Sequence, residues 1–180
     1  MQRIPLVDES THPELLPLIN QVKAERGKFL NLYRALANSP GVCAGWLHLF
    51  TELRSKAKLP GRVREIATMR IAVLNGADYE YQAHVPFALK EGLTQAQIDG
   101  LHDWRAAGIY EPRDLAVLAY TDSMTRDIHV PDDIYAAVRP FFDDREMVDL
   151  TATIAGYNMV SRFLEALQVH PEQEHGPRKV

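Results

Sequence analysis

The sequence contains a single cysteine, Cys43, among 180 residues. One cysteine cannot close a disulfide within the chain, and no C-x-x-C motif is present, so a mechanism that uses an intramolecular pair of thiols is excluded. Cys43 follows a Pro-Gly break and lies among apolar residues in the stretch SPGVCAGWLHLF. We therefore expect it to be a small buried hydrophobic side chain.

An excess of positive charge and long apolar runs are also missing. The chain has 20 Lys and Arg against 24 Asp and Glu residues, a formal net charge of −4 and a pI near 6.0. A nucleic-acid-binding domain usually carries a basic patch or stripe. No segment approaches the ~18 apolar residues of a membrane span, and MQRIPLVDES lacks the apolar region of a signal peptide. We expect a soluble cytoplasmic protein without nucleic-acid or membrane partners.

The alternation of apolar and polar residues that is typical of a half-buried β-strand is missing as well. Apolar residues recur instead at helical spacing, and 46% of the residues are hydrophobic, which suffices for a packed core. Pro, Gly and polar turns, among them a basic surface turn from Arg54 to Lys58, divide the chain into about seven to nine helices. The sequence predicts one all-α domain over 1–180, with a polar, mobile tail from about 170 to 180.

The most informative stretch is 64–92, REIATMRIAVLNGADYEYQAHVPFALKEG. It predicts two helices joined by a tight break, with Gly76 just past the end of the first helix. Into these apolar segments the sequence places three ionisable residues, Glu65, Glu80 and His84. Because Glu80 and His84 are four residues apart, we expect their side chains to share one face of the second helix.

A histidine beside carboxylates and a tyrosine is an acid–base set. Neutral imidazole can take or give a proton near pH 7, and a carboxylate can hold its tautomer. His84 is thus the candidate acid and base, and Glu80 is the candidate that orients it. Tyr79 is suited to donate a hydrogen bond to a developing oxyanion, and Arg70 or Arg64 to hold a substrate carboxylate.

Each of these residues also has a structural interpretation. A lone E-x-x-x-H pair is common on helix surfaces, and Glu65 is equally consistent with a buried ion-pair partner of Arg70 or Arg64. Tyr79 is also consistent with a core aromatic residue whose hydroxyl is satisfied. A metal site that adds a third ligand to the E-x-x-x-H pair is a further alternative, although the sequence supplies no third ligand at a telling spacing.

The stretch from 59 to 101 resembles the carboxymuconolactone decarboxylase family, which also includes the alkyl hydroperoxidase D proteins. The matching elements are Arg62 to Glu65, Arg70 to Ala72, Tyr79 to His84, Ala88 to Leu93, and Ile98. The segments AVLAYTDSMTRD and GYNMVSRFLEALQV extend the resemblance over most of 59–169. The resemblance implies an all-α fold of the alkyl hydroperoxidase D type and a homo-oligomer, a trimer or hexamer, with sites at or near subunit contacts.

Three positions relate this chain to the branches of that family. The peroxidase branch carries C-x-x-C just before the histidine, and here those positions are Ala77 and Glu80, so dithiol peroxidase chemistry is unavailable. The decarboxylase branch has a carboxylate four residues before the histidine, as Glu80 is before His84. A glutamate at the position of Glu65 is a feature of the peroxidase branch, where it acts in a proton relay with the histidine. The chain combines features of both branches.

The residues and the resemblance together favour a cofactor-independent decarboxylase or isomerase. Its substrate is expected to be a small carboxylated or lactone-type metabolite from aromatic-compound breakdown. His84 is then the acid and base and Glu80 its orienter. Glu65 is a second relay carboxylate, Arg70 is an anion anchor, and neither a cofactor nor a metal is expected. Two alternatives are a peroxidase-family member in oxidative stress defence, with Cys43 as its only thiol, and a non-catalytic oligomer that binds a small molecule.

Overall fold

The structure, a computed structural model, describes residues 2–172, and every regular element in this range is helical. The α-helices are α1 (Leu16–Arg26), α2 (Asn31–Leu36), α3 (Pro40–Thr51), α4 (Gly61–Asn75), α5 (Asp78–Lys90), α6 (Gln95–Gly100), α7 (Trp104–Ala107), α8 (Pro112–Arg126), α9 (Asp132–Val138) and α10 (Asp144–Leu167). A π-helical turn, Glu52–Lys56, follows α3 directly. The predicted all-α fold class is confirmed. None of the described helices is long and apolar enough to cross a membrane.

The described residues form two compact units. One takes its residues from Met1–Thr51 and Ala166–Val180, and the other is Glu52–Glu165. All the site residues predicted from the sequence lie in the second unit. The single domain predicted over 1–180 stays a prediction.

In the first unit, α1 ends at Gly27, which takes a left-handed conformation with φ +79°. The preceding Arg26 donates hydrogen bonds to the Tyr33 hydroxyl at 2.9 Å and to the Thr51 hydroxyl at 3.0 Å. These bonds tie α1 to α2 and α3. The predicted mobile tail lies mostly outside the described residues, which end at 172. Its first residues carry a hydrogen bond from Asn31 Nδ2 to the carbonyl of His170, 3.1 Å long.

The second unit is arranged around α4, which is buried along most of its length and packs against α5 and α8. The predicted break between α4 and α5 is confirmed. Gly76 has φ +62° and ψ +31°, a left-handed conformation that a residue with a Cβ adopts at a cost. The chain therefore reverses within two residues, and the inner faces of α4 and α5 meet.

A buried ion pair joins α4 to α8. Arg70 Nε lies 2.6 Å from Asp122 Oδ1 and Arg70 Nη2 lies 2.9 Å from Asp122 Oδ2, while Nη1 donates to the carbonyl of Leu101 at 2.6 Å. Burial alone would raise the pKa of Asp122. The hydrogen bonds and charge of Arg70, helped by bonds from Trp104 and Arg105, outweigh burial and leave that pKa below its ordinary value of 3.8. Asp122 is thus ionised throughout the neutral range.

Replacing one partner of this pair tests how much it stabilises the fold. We expect Asp122→Asn to lower the free energy of unfolding by roughly 3–5 kcal/mol at pH 7, because it leaves the Arg70 guanidinium buried without a counter-charge. Urea unfolding measures the change, and Asp127→Asn, at an exposed position just after α8, is the control.

The effect should also depend on pH. A carboxylate with a lowered pKa stabilises the fold above its unfolded pKa, and that stabilisation is lost as the pH falls through the lower folded value. The difference between parent and Asp122→Asn should therefore shrink as the pH drops below about 3.8. A variant as stable as the parent at pH 7 would show that the pair contributes nothing.

Candidate functional site

The centre of the candidate site is a hydrogen bond between α4 and α5. Nδ1 of His84 lies 2.7 Å from Oε2 of Glu65, and both side chains are buried, with 6% and 2% of their surface exposed. An ionised carboxylate can only accept a hydrogen bond, so Nδ1 carries the proton and donates a hydrogen bond to Glu65. In the neutral imidazole, Nε2 then holds the free lone pair. Glu65 thus fixes the tautomer and the orientation of His84.

Glu65 stays ionised because a hydrogen-bonded imidazole and a guanidinium contact its carboxylate. Burial alone would raise its pKa, but the hydrogen bond and charge of His84 and the guanidinium of Arg64 outweigh burial, and the pKa is lowered. Arg64 Nε donates to Oε1 of Glu65 at 3.1 Å, so both carboxylate oxygens have a partner. The other side of Arg64 faces Glu91, with 3.6 Å between Nη2 and Oε1. Arg64 therefore neutralises and positions Glu65.

Aromatic rings enclose the His84 imidazole. The ring of Tyr157 in α10 meets it edge to face, with centroids 5.2 Å apart, and the ring of Phe87, one turn along α5, lies at 5.8 Å. Tyr157 is buried, and burial raises its pKa to about 12. Phe87 is 44% exposed. The imidazole thus has an apolar surrounding that strengthens electrostatic interactions, with its more open side at Phe87.

The role predicted for Glu80 as the orienter of His84 is wrong. Glu80 shares the face of α5 with His84, as the spacing requires, but it faces Ser161 and Glu165 on α10. His84 faces Tyr157, one turn earlier on α10. The two helices therefore run antiparallel, and each of the two side chains meets its own turn of α10. Whether Glu80 takes part in a reaction stays a prediction.

Glu80 is a buried carboxyl that meets no counter-charge within the described part of the chain. Burial raises its pKa to about 8, the neighbouring Ser161 opposes this shift, and the charge of Glu165 adds to it. The Ser161 hydroxyl gives its proton to the carbonyl of Tyr157 at 2.8 Å and accepts a bond from Asn75 at 2.9 Å. Among the described residues, neither oxygen of Glu80 has a partner with hydrogen-bond geometry. Glu80 is therefore mostly protonated at pH 7.

The other predicted site residues have different surroundings in the structure. Arg70 is buried and its guanidinium is used by Asp122, so it is not free to anchor a substrate anion, which corrects that prediction. Arg64 does lie at the site. Tyr79 is buried in the first turn of α5. Tyr79 and His84 are five positions apart, so their side chains leave the helix in directions about 140° apart.

Arg54 is a residue at the site that the sequence analysis missed. It lies in the π-helical turn Glu52–Lys56, which the sequence predicts only as a basic surface turn. Its Cζ atom lies over the Phe87 ring, 5.2 Å from the centroid, and its carbonyl accepts a hydrogen bond from Arg64 at 3.4 Å. No spacing in the sequence signals this contact, because the turn and α5 are brought together by the fold.

The remaining predicted features concern thiol and metal chemistry. Cys43 is fully buried, as predicted, and burial raises its pKa to about 11, so the thiol does not ionise near neutral pH. Within residues 2–172, no three His, Cys, Asp or Glu side chains come together in a group that could hold a metal ion.

Comparison with known proteins places this site in a family. The sequence profile of the Carboxymuconolactone decarboxylase family matches residues 40–123. The uncharacterised protein YdfG of Bacillus subtilis (strain 168) is 31% identical over 106 residues, which are 58% of this chain and 72% of YdfG.

Two solved structures have the same fold. One is an uncharacterised peroxidase-related protein from Silicibacter sp. TM1040, with a TM-score of 0.81 and 18% identity, covering 97% of this chain and 93% of that one. The other is an alkylhydroperoxidase AhpD core, an uncharacterised peroxidase-related protein from Ralstonia eutropha JMP134, with a TM-score of 0.80 and 20% identity, covering 96% and 93%. Glu65, Glu80 and His84 all lie within the matched profile. The chain belongs to the carboxymuconolactone decarboxylase family.

Proposed function

We propose that this protein is a cofactor-independent acid–base enzyme, a decarboxylase or isomerase that acts on a small carboxylated or lactone-type metabolite of aromatic-compound breakdown. The observation that carries the proposal is the 2.7 Å hydrogen bond from His84 Nδ1 to the buried, ionised Glu65. It leaves Nε2 as the proton-transferring atom and places a negative charge where it stabilises the imidazolium.

The proton balance of a decarboxylation suits this arrangement. The bond between the carboxylate and its carbon breaks, CO₂ leaves, and the electron pair stays on an enolate-like carbon. The protonated His84 then gives its Nε2 proton to that carbon, and solvent reprotonates the imidazole. In an isomerisation, neutral Nε2 first removes a proton and returns it at another carbon. A positioned acid or base of this kind contributes roughly 10²–10⁴-fold to the rate.

Glu80 adds a second acid to the proposal. The fold holds the pKa of Glu65 low with its bonds to His84 and Arg64, and that of Glu80 high by burial. Two carboxyls whose surroundings push their pKa values apart are typical of sites that need a base and an acid at the same pH. Glu80 lies one turn from His84 on the same face of α5, so we assign it the role of a neutral proton donor.

The peroxidase alternative has weaker support in this chain. Relatives described as peroxidase-related share its fold. The positions of the C-x-x-C pair hold Ala77 and Glu80, and the lone Cys43 is buried with a raised pKa. A non-catalytic small-molecule-binding protein is the other alternative, and turnover decides between it and the enzyme. We also propose that the chain forms a homo-oligomer, a trimer or hexamer, as the family resemblance implies.

Deuterium exchange tests the proposed function. The purified protein is incubated in D₂O with a panel of small aromatic-derived acids and lactones, and NMR follows deuterium incorporation, isomerisation and CO₂ loss. We expect at least one compound to exchange or lose CO₂, and His84→Gln to lower that rate roughly 10²–10⁴-fold. His102→Gln, at an exposed histidine in the same unit, is the matched control and should keep the parent rate. A panel without exchange or turnover would reject the acid–base function.

The coupling between His84 and Glu65 gives a second prediction. The hydrogen bond and charge of His84 lower the pKa of Glu65, so this pKa should rise in His84→Gln, where burial is opposed by Arg64 alone. Titration of the ¹³C-labelled Glu65 carboxyl measures it, with His102→Gln as the control. A Glu65 pKa that is unchanged in His84→Gln would contradict the coupling.

Protonation of Glu80 gives a third prediction. A folded pKa of about 8, above the ordinary value of 4.5, means that the fold keeps a proton that the unfolded chain loses between these pH values. Stability should therefore fall as the pH rises from 4.5 to 8. Glu80→Gln removes this loss, and we expect its free energy of unfolding to exceed that of the parent by up to roughly 4 kcal/mol near pH 9.

Urea unfolding at a series of pH values measures the effect. The parent and Glu80→Gln should be about equally stable near pH 4, where Glu80 is protonated in both states of the parent. Glu111→Gln, at an exposed position before α8, should follow the parent at every pH. Parallel curves for the parent and Glu80→Gln would show that Glu80 is ionised in the fold.

A further inference from the structure

The π-helical turn Glu52–Lys56 brings a positive charge to the open side of the candidate site. Arg54, half-buried in this turn, lies over the ring of Phe87, which in turn lies beside the ring of His84. The π-helical conformation is rare, and its single turns occur frequently at functional sites. The turn is also fixed in place, because Arg64 donates a hydrogen bond to the carbonyl of Arg54.

The charge of Arg54 acts on the interior of the site. Burial raises the pKa of the Tyr157 hydroxyl, and the guanidinium of Arg54 is the largest influence that opposes this shift. Tyr157 is the residue whose ring packs against the His84 imidazole. An anion bound to Arg54 would therefore lie close to Phe87 and Tyr157, the two rings that pack against the imidazole.

Within residues 2–172 the guanidinium of Arg54 also lacks a carboxylate partner, unlike the neighbouring cations. Arg64 has Glu65 and Glu91, and Lys56, in the same turn as Arg54, pairs with Glu52 at 2.6 Å. Among the described residues, no carboxylate lies within ion-pair distance of the Arg54 guanidinium. A half-buried arginine that rests on an aromatic ring has its donor edge held in one plane, which suits two parallel hydrogen bonds to a carboxylate.

We propose that Arg54 binds the carboxylate of the substrate, in a subsite bounded by Phe87 and adjacent to His84. The inference rests on the proposed acid–base function and replaces Arg70 as the anion anchor. The positive charge of Arg54, which has no carboxylate partner among the described residues, matches a single carboxylate, and the exposed part of Phe87 matches an apolar or aromatic body. The ligand class is thus a small organic acid with one carboxylate at Arg54 and its reacting carbon towards Nε2 of His84.

This subsite restricts which group of the substrate reacts. A carboxylate held by an arginine is stabilised as an anion before the reaction, and its loss as neutral CO₂ would give up that interaction in the transition state. The anchored carboxylate is therefore not the one that leaves. A substrate that is decarboxylated here carries a second carboxyl group, and a substrate that is isomerised needs only the anchored one.

Binding of benzoate, a planar carboxylate with an apolar body, tests the subsite. The ring resonances of His84 and Phe87 are followed by NMR during titration of the parent with benzoate, with neutral benzamide and with inorganic phosphate. We expect benzoate to shift both rings with saturation, and benzamide and phosphate to bind at least about tenfold more weakly, the worth of one charge-assisted hydrogen bond.

Variants of the turn distinguish a specific contact between Arg54 and benzoate from a general attraction by the positive charge of the turn. Arg54→Gln should weaken benzoate binding about tenfold or more, and Arg54→Lys, which keeps the charge but loses the planar fork, should lie between it and the parent. Lys56→Gln removes the same charge from the same turn and is the matched control, so its affinity should equal that of the parent. Thermal unfolding confirms that all three variants are folded.

Four results of the binding experiment would overturn the subsite. In the parent, the first is that millimolar benzoate does not shift the ring resonances of His84 and Phe87. The second and third are that benzamide binds as tightly as benzoate, or that phosphate binds more tightly than benzoate. The fourth is that Arg54→Gln and Lys56→Gln lose affinity for benzoate equally. Benzoate binding that depends on Arg54 without any deuterium exchange would support the subsite and reject the acid–base function. Exchange with an unchanged KM in Arg54→Gln would support the function and reject the subsite.

Discussion

The buried charges of α4 constrain the second unit more than any other feature. This helix carries Glu65 and Arg70 into the interior, and a buried charge is tolerated only when a partner neutralises it there. Arg70 forms an ion pair with Asp122 on α8, and Glu65 accepts a hydrogen bond from His84 on α5. The two pairs fix α4 against both of its neighbouring helices. The candidate site is thus built on one of the same contacts that hold this unit together.

The contrast between Glu65 and Glu80 is the chemical consequence of that arrangement. Both carboxyls are buried and lie on adjacent helices, but within residues 2–172 a guanidinium contacts Glu65 and none contacts Glu80. One is therefore ionised and the other protonated in the same pH range. An acid–base reaction at neutral pH needs both states, and here they arise from different surroundings of one residue type.

The sequence located the site better than it assigned its contacts. Helical spacing and the break at Gly76 predicted the hairpin, and the family resemblance implied that Glu65 acts in a proton relay with His84. The i, i+4 spacing suggested that Glu80 holds His84, but such spacing defines only a shared helix face. The partner of each side chain depends on which turn of α10 or which residue of α4 faces it. For the same reason Arg70 could be recognised as an important arginine but not as the partner of Asp122.

The sequence by itself determined the all-α class, the helical hairpin, the absence of a dithiol pair and the family, because these follow from periodicity, turn residues and motif positions along the chain. The tertiary structure alone decided that Glu65 orients His84, that Glu80 is kept neutral and that Arg54 lies over Phe87. These contacts join residues that lie between 19 and 81 positions apart in the chain or depend on burial. Only the packing of helices against one another sets the distance, the charge and the water content that each side chain meets.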